Sequence, residues 1–274
     1  MSVFEEAKID CHCHVLDPAR FPYAPDVAYR PAGQEIGPVE QYLQVMDAYG
    51  IRHALLVAPN SGYNLDNRCL LDAIARGAGR FKGIAIVPLD IDHDALLALR
   101  AQGVIGVAFN ATLLGTAYYL GTAPLLRMLV ELDMCLSLQV EHDQMVELRP
   151  LVENSGVRVL IDHCGRPTAG QGVGQAGFQA VLALAGSGRV AVKLSGYQKF
   201  SSQPAPFGDT QPFIEALLER FTPDACLWAS DWPFLRAPQR LDVGPLLRQI
   251  ERLIPAESDR RKVLWETPRR LLGF

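Results

Sequence analysis

Lys8-Ile9-Asp10-Cys11-His12-Cys13-His14-Val15 is the stretch from which the rest of the chain can be read. It has the length and residue types of a strand, and His12 and His14, two positions apart at its C-terminal end, point to one face. In that phase Cys11 and Cys13 point to the other face, towards a helix layer. The cysteines and histidines are thereby separated, which argues against reading the cluster as a zinc finger. Paired histidines at the end of a strand are seldom explained by packing.

Working outward, similar short apolar runs recur over 53–58, 83–88, 104–110, 134–141, 157–163, 190–195 and 225–231. With 8–15 they make eight strand candidates. Between them lie segments with helical spacing at 39–49, 67–78, 95–102, 123–132, 144–153, 179–185 and 212–221. Gly50, Gly103 and Gly156 follow three of these, where a helix end favours left-handed backbone. Regular alternation of strand and helix implies a parallel sheet, and eight such pairs fit a closed (β/α)8 TIM barrel better than an open doubly wound sheet. The tail from 240 to 272 then supplies the last outer helices. A single domain over 1–274 is expected, since barrels of about 250 residues commonly form one unit.

The connections after strands one, two, four, six and seven are long: 16–38, which carries five prolines, then 61–66, 111–121, 165–177 and 196–209. All are βα loops, so the extra length gathers at the C-terminal face, where a barrel builds its site.

Composition narrows the function classes. Of the 274 residues 49% are hydrophobic and 20% charged, ordinary usage for a folded chain with a large core. A net charge of -4 without any run of Lys and Arg excludes a nucleic-acid-tracking surface. No apolar segment reaches the roughly 20 residues of a membrane span. The acidic N-terminus, Met-Ser-Val-Phe-Glu-Glu, is unlike a signal peptide, so a cytoplasmic location is expected. The six scattered cysteines read as reduced thiols.

Three further positions join the paired histidines. Strand six ends Val159-Leu160-Ile161-Asp162-His163, and His163 is read in the inward phase with Val159 and Ile161, leaving Asp162 outside it. Strand eight ends Leu227-Trp228-Ala229-Ser230-Asp231, with Asp231 in phase with Leu227 and Ala229. It is either a cap for the following turn or a general base tuned by the histidines. Lys193 on strand seven is inward too, and an ion pair with Asp10 or Glu141 is a better account of it than Schiff-base chemistry. A G-x-G-x-x-G match over Gly172 to Gly177 lies too far from its strand to bind a dinucleotide.

His-x-His on the first strand, His on the sixth and Asp on the eighth resemble the amidohydrolase superfamily. In finer detail Asp10-Cys11-His12-Cys13-His14-Val15, Phe21-Pro22-Tyr23-Ala24-Pro25 with Tyr29, Asp66-Asn67-Arg68, Asp162-His163-Cys164-Gly165-Arg166-Pro167 and Ser230-Asp231-Trp232-Pro233 resemble the 2-pyrone-4,6-dicarboxylate lactonase group and its sugar-lactonase relatives. The resemblance implies a hydrolase opening a small, anionic lactone: Asp231 activates water while His12, His14 and His163 polarise the carbonyl. Tyr29, Asn64, Asn110, Gln139, Lys199 and Arg236 are the expected substrate contacts. Ala108 and Lys199 stand where the dicarboxylate lactonases carry arginines, which points away from that pyrone itself.

No cofactor is expected to be required. If zinc is bound, its ligands are His12, His14, Glu141 and Asp231. The expected partner is the lactone itself, with neither nucleic acid nor membrane, and barrels of this kind are often homodimers. Two rival readings stand beside this one, a metal-dependent decarboxylase of the same superfamily and a barrel that binds a ligand without turning it over.

Overall fold

The computed structural model describes residues 2–274. Eight parallel strands lie in sequence order in one sheet: β1 (Lys8–Cys13), β2 (Ile51–Val57), β3 (Phe81–Ala85), β4 (Val104–Asn110), β5 (Cys135–Gln139), β6 (Arg158–Ile161), β7 (Val190–Leu194) and β8 (Cys226–Trp228). The expected (β/α)8 architecture is what the chain adopts; β4 matches its apolar run, the other strands end one to three residues before theirs, and β2 and β3 begin two residues earlier than read. Around the sheet run α1 (Val39–Tyr49), α2 (Arg68–Arg76), α3 (His93–Ala101), the short α4 (Ala111–Leu114), α5 (Ala123–Glu131), α6 (Gln144–Ser155), α7 (Ala176–Leu182) and α8 (Gln211–Phe221). The tail forms α9 (Val243–Leu253), α10 (Glu257–Arg261), a π-helical turn (Lys262–Glu266) and α11 (Thr267–Leu272). Gly50 and Gly156 cap α1 and α6 at φ 67° and 73°, the left-handed backbone for which glycine has no penalty.

Two apolar layers separate cleanly. Ile9, Leu55, Val57, Ile84, Leu160 and Leu227 fill the barrel interior, whereas Leu56, Leu138, Val159, Ile161, Val192 and Trp228 face the helices. The floor is closed by Leu272, and Phe274 stacks on His53 with ring centroids 4.8 Å apart.

This layering corrects two expectations. Cys11 does not join Cys13 against the helices. It packs in the interior with Ile9, because a bulge between Asp10 and Cys13 inserts an extra residue against β2 and lets Cys11 and His12 share one side. On β6 the phase is the reverse of the one read from sequence. Val159 and Ile161 face outward, so Asp162 is the inward residue.

Closure between β8 and β1 is made by single bonds near the catalytic end. Asp231 N–H donates to the His12 carbonyl at 2.9 Å, and His14 N–H to the Trp232 carbonyl at 2.8 Å. The buried Asp10 carboxylate locks the same seam. It accepts from Ser230 N–H (2.9 Å), His12 N–H (3.2 Å), the Tyr42 hydroxyl (2.7 Å) and the Ser230 hydroxyl. Among the described residues no helix is long and apolar enough to cross a membrane.

Candidate active site

A cavity of about 560 Å³ opens at the C-terminal face, lined by residues at or beyond the ends of β1, β2, β4, β5, β6, β7 and β8. His12, His14, His163 and Asp231 meet at its base. His12 on β1 and His14 immediately after it both turn inward, as expected. His163 reaches the base by a different route from the expected one. The chain leaves β6 through left-handed residues at His163 (φ 51°), Cys164 (58°), Gly165 (73°) and Arg166 (42°). That turn brings the imidazole inward one position after Asp162. Asp231 is also held left-handed, at φ 62°. Non-glycine residues in this region cost on the order of 1–3 kcal/mol each, a strain that clusters at sites where side-chain direction matters more than stability.

The Asp231 carboxylate is fully buried and asymmetric. Its Oδ2 accepts from Gln198 Nε2 at 2.9 Å and lies 3.1 Å from the Lys199 ammonium. Its Oδ1 has no hydrogen-bond partner and stands 3.7 Å from both His14 Nε2 and His163 Nε2, beyond direct bonding reach. Burial pushes this carboxyl's pKa up. The Lys199 ammonium and the surrounding His163, His14 and His12 together outweigh it and hold the group well below the usual carboxylate range.

Two of the three imidazoles, His12 and His163, are held as neutral bases. Burial drives His163 well below its ordinary value and His12 down to about 4, the latter with the Lys193 ammonium adding to the effect. His14 Nδ1 lies 2.7 Å from the Val57 carbonyl, which can only accept, so Nδ1 carries the proton. In its neutral form His14 turns the Nε2 lone pair towards the unpartnered Asp231 Oδ1. Two acceptors facing each other across 3.7 Å repel unless something donates to both, and a water molecule with its two protons does so.

Behind His12 lies a buried network that sequence reading missed. Lys193 Nζ is 2.8 Å from Asp162 Oδ1, 2.8 Å from Ser137 Oγ and 3.2 Å from His12 Nδ1. The Lys193 partner is thus Asp162, neither Asp10, which locks the seam, nor Glu141. Burial raises the Asp162 pKa, and the Lys193 ammonium together with His12 and His163 more than reverses it, keeping the carboxylate charged. A lysine on β7 and a serine on β5, at inward positions flanking β6, are the signal that would have placed Asp162 between them.

The expected substrate contacts divide. Tyr29, Asn110, Gln139, Lys199 and Arg236 line the cavity. Asn64 does not. It sits in a tight turn at φ 50°, and Asn60 and Ser61 from the same loop line the wall instead. Tyr29 donates to Glu35, and the Arg236 guanidinium lies over its ring, 4.9 Å from the centroid. Gln198 and Arg166 are lining residues that no periodicity announces.

The metal-ligand set also changes. Donor atoms of His12, His163 and Asp231 lie within 4.8 Å of one another. Glu141, expected among the ligands, is instead taken up by Arg166 at 2.9 Å, and the described cluster does not include His14. Three buried N and O donors around an orphaned carboxylate oxygen fit a zinc-type ion with an open position.

Comparison with known proteins agrees with this geometry. A family model described as amidohydrolase matches residues 9–274. The 4-sulfomuconolactone hydrolase of Rhizobium radiobacter is 35% identical over 271 residues, covering 96% of this chain and 89% of that protein. The enzyme of the same name from Hydrogenophaga intermedia is 30% identical over 271 residues, covering 96% and 88%. The crystal structure of a probable 2-pyrone-4,6-dicarboxylic acid hydrolase from Acinetobacter baumannii, with citric acid bound, superposes with a TM-score of 0.89 at 25% identity, covering 97% of this chain and 99% of that one.

Proposed function

The chain belongs to the amidohydrolase family, and from that premise we propose that it hydrolyses a small anionic lactone with Asp231 as general base. The observation that carries this reading is the buried, unpartnered Oδ1 of Asp231 in the cavity lining, 3.7 Å from both His14 Nε2 and His163 Nε2. The names borne by the similar proteins, a sulfomuconolactone hydrolase and a pyrone-dicarboxylic acid hydrolase, support the substrate class.

In the proposed reaction the water between Asp231 and His14 gives a proton to Oδ1 as its oxygen bonds to the lactone carbonyl carbon. The carbonyl oxygen becomes an oxyanion, and the Nε2–H of neutral His12, whose Nδ1 faces the Lys193 ammonium, stabilises it more than it stabilises the ground state. When the tetrahedral centre collapses, the ring carbon–oxygen bond breaks and the proton on Asp231 passes to the leaving oxygen. The product is an open hydroxy acid or its keto form. Lys199 keeps Asp231 ionised between turnovers. His12, His163 and Asp231 are the residues that would hold a divalent ion, which when bound supplies Lewis-acid polarisation and a more acidic water.

The test is proton release at constant pH from a panel of aromatic-derived and sugar-acid lactones, using chelator-treated protein with and without added zinc. Turnover in either condition supports lactone hydrolysis, and the zinc response reports whether the ion is needed. Silence across the panel in both conditions would sink the assignment.

A second expectation concerns Gly196, which is left-handed at φ 63° and sits against His163. A Cβ there would lie 2.6 Å from His163 Cγ and Nδ1. Gly196→Ala should push the imidazole out of place and lower kcat on the order of 10²-fold, the scale of a misplacement of about 1 Å. Steady-state kinetics check this, and an unchanged kcat would show that His163 position is not critical.

A further inference from the structure

We infer, resting on the lactonase reading above, that the preferred substrate is a lactone with one acid group and several hydroxyls, and not a dianionic lactone. The charge pairing inside the cavity carries the first half. Of the lining cations, Lys199 is matched by Asp231 and Arg166 by Glu141, and Lys193 behind the cavity is matched by Asp162. Among the described residues, the Arg236 guanidinium is the cavity cation that has no carboxylate within ion-pair distance. Glu35, the nearest candidate, spends its oxygens on the Tyr29 hydroxyl and the backbone N–H groups of Ala32 and Arg236. One free cation at the rim satisfies one carboxylate. A second acid group would find its cations already neutralised and would have to sit near the carboxylates of Glu141 and Asp231, where like charges repel.

The opposite wall carries the second half. Its central ladder is polar and uncharged. Asn110 Nδ2 donates to Asn60 Oδ1 at 2.9 Å, and Gln139 Nε2 donates to Asn110 Oδ1 at 3.1 Å and to Thr112 Oγ1 at 2.8 Å. Asn60 spends its carbonyl oxygen and Gln139 its amide nitrogen in this ladder. The Asn60 amide group and the Gln139 carbonyl oxygen keep capacity for a ligand, a donor beside an acceptor, which is the requirement of a hydroxyl. The Arg166–Glu141 pair extends the same alternation. Its carboxylate accepts, and the buried Arg166 Nε has no partner. A site built to hydrogen-bond hydroxyls discriminates strongly against an analogue that lacks them, because its polar groups are then left unpaired. The lactone of a sugar diacid has this chemistry, with one free carboxylate and hydroxylated ring carbons.

The experiment compares three probes with the full-length protein. Glucaro-1,4-lactone carries one carboxylate and hydroxyls, 2-pyrone-4,6-dicarboxylate carries two carboxylates and no hydroxyl, and glucono-1,5-lactone carries hydroxyls and no carboxylate. The expected order of kcat/KM places the first above the other two by roughly 10- to 100-fold, the worth of one hydrogen-bonded charge. Arg236→Gln should erase the advantage of the glucarolactone over the neutral lactone, and Gln139→Leu should narrow its advantage over the dicarboxylate. A dicarboxylate turned over as well as the glucarolactone overturns the inference while the lactonase reading stands. Turnover of none of the three overturns both.

Discussion

Asp231→Asn is expected to lower kcat/KM by roughly 10³- to 10⁴-fold, the upper range for loss of a positioned general base. The amide keeps the volume and can still accept from Gln198 and lie beside Lys199, so the fold should survive and the loss should fall on the chemical step. The wild-type pH profile carries a matching signature. The Asp231 pKa is depressed by Lys199, so the base is ionised at and above the usual carboxylate range and is lost only as pH falls below it. An acid limb set by Asp231 therefore lies below the range of an ordinary carboxylate, not near neutrality. Stopped-assay kinetics across pH, on wild type and variant, check both points. An Asn variant that retains a tenth of the activity, or a wild-type acid limb near pH 6.5, where an unperturbed histidine titrates, would transfer the role of base to an imidazole.

Lys193→Met should produce the largest loss of stability. The ammonium is fully buried and is matched by the equally secluded Asp162, with Ser137 completing its bonds. Removing one member of a buried pair leaves an uncompensated charge and costs about 3–5 kcal/mol. For a chain of this length that is a fall in Tm on the order of 10 °C. The double variant Lys193→Met with Asp162→Leu should recover most of the stability, since an apolar replacement of the whole pair is often neutral. It should not recover activity, because the groups contacting His12 Nδ1 are gone. Thermal melts and kinetics on Lys193→Met, Asp162→Leu and the double variant form a cycle. If the double variant is no more stable than the single one, the pair is not the source of the effect.

The architecture was legible because eight apolar runs alternate with helical spacing, and the ends of β4 and the span of α1 coincide with that reading. What sequence could not resolve was phase in two places. Val159-Leu160-Ile161 is apolar at every position, so either face could be inward, and the choice is made by Ser137 and Lys193 on the neighbouring strands. The bulge that sends Cys11 inward leaves no mark on composition, since it is created by the register of β1 against β2. The four residues at the base of the site were found because strand ends in a barrel point to one place. Asp162, Gln198 and Arg166 were missed because their importance comes from cross-strand neighbours or from turns without a repeating period.

The β8–β1 seam has a thermal consequence. This junction is held by two backbone bonds and the Asp10 cluster, where the other junctions have ladders, and its bonds belong to the residues that carry His12, His14 and Asp231. On warming, the weakest strand junction should part before the remaining sheet, an opening with a free energy below that of global unfolding. Enzyme exposed to moderate heat should therefore go silent while its far-ultraviolet circular dichroism is still native, and regain activity on cooling as the edge zips shut. In hydrogen exchange the amides of His14 and Asp231 should exchange ahead of those in the centre of β4 and β5.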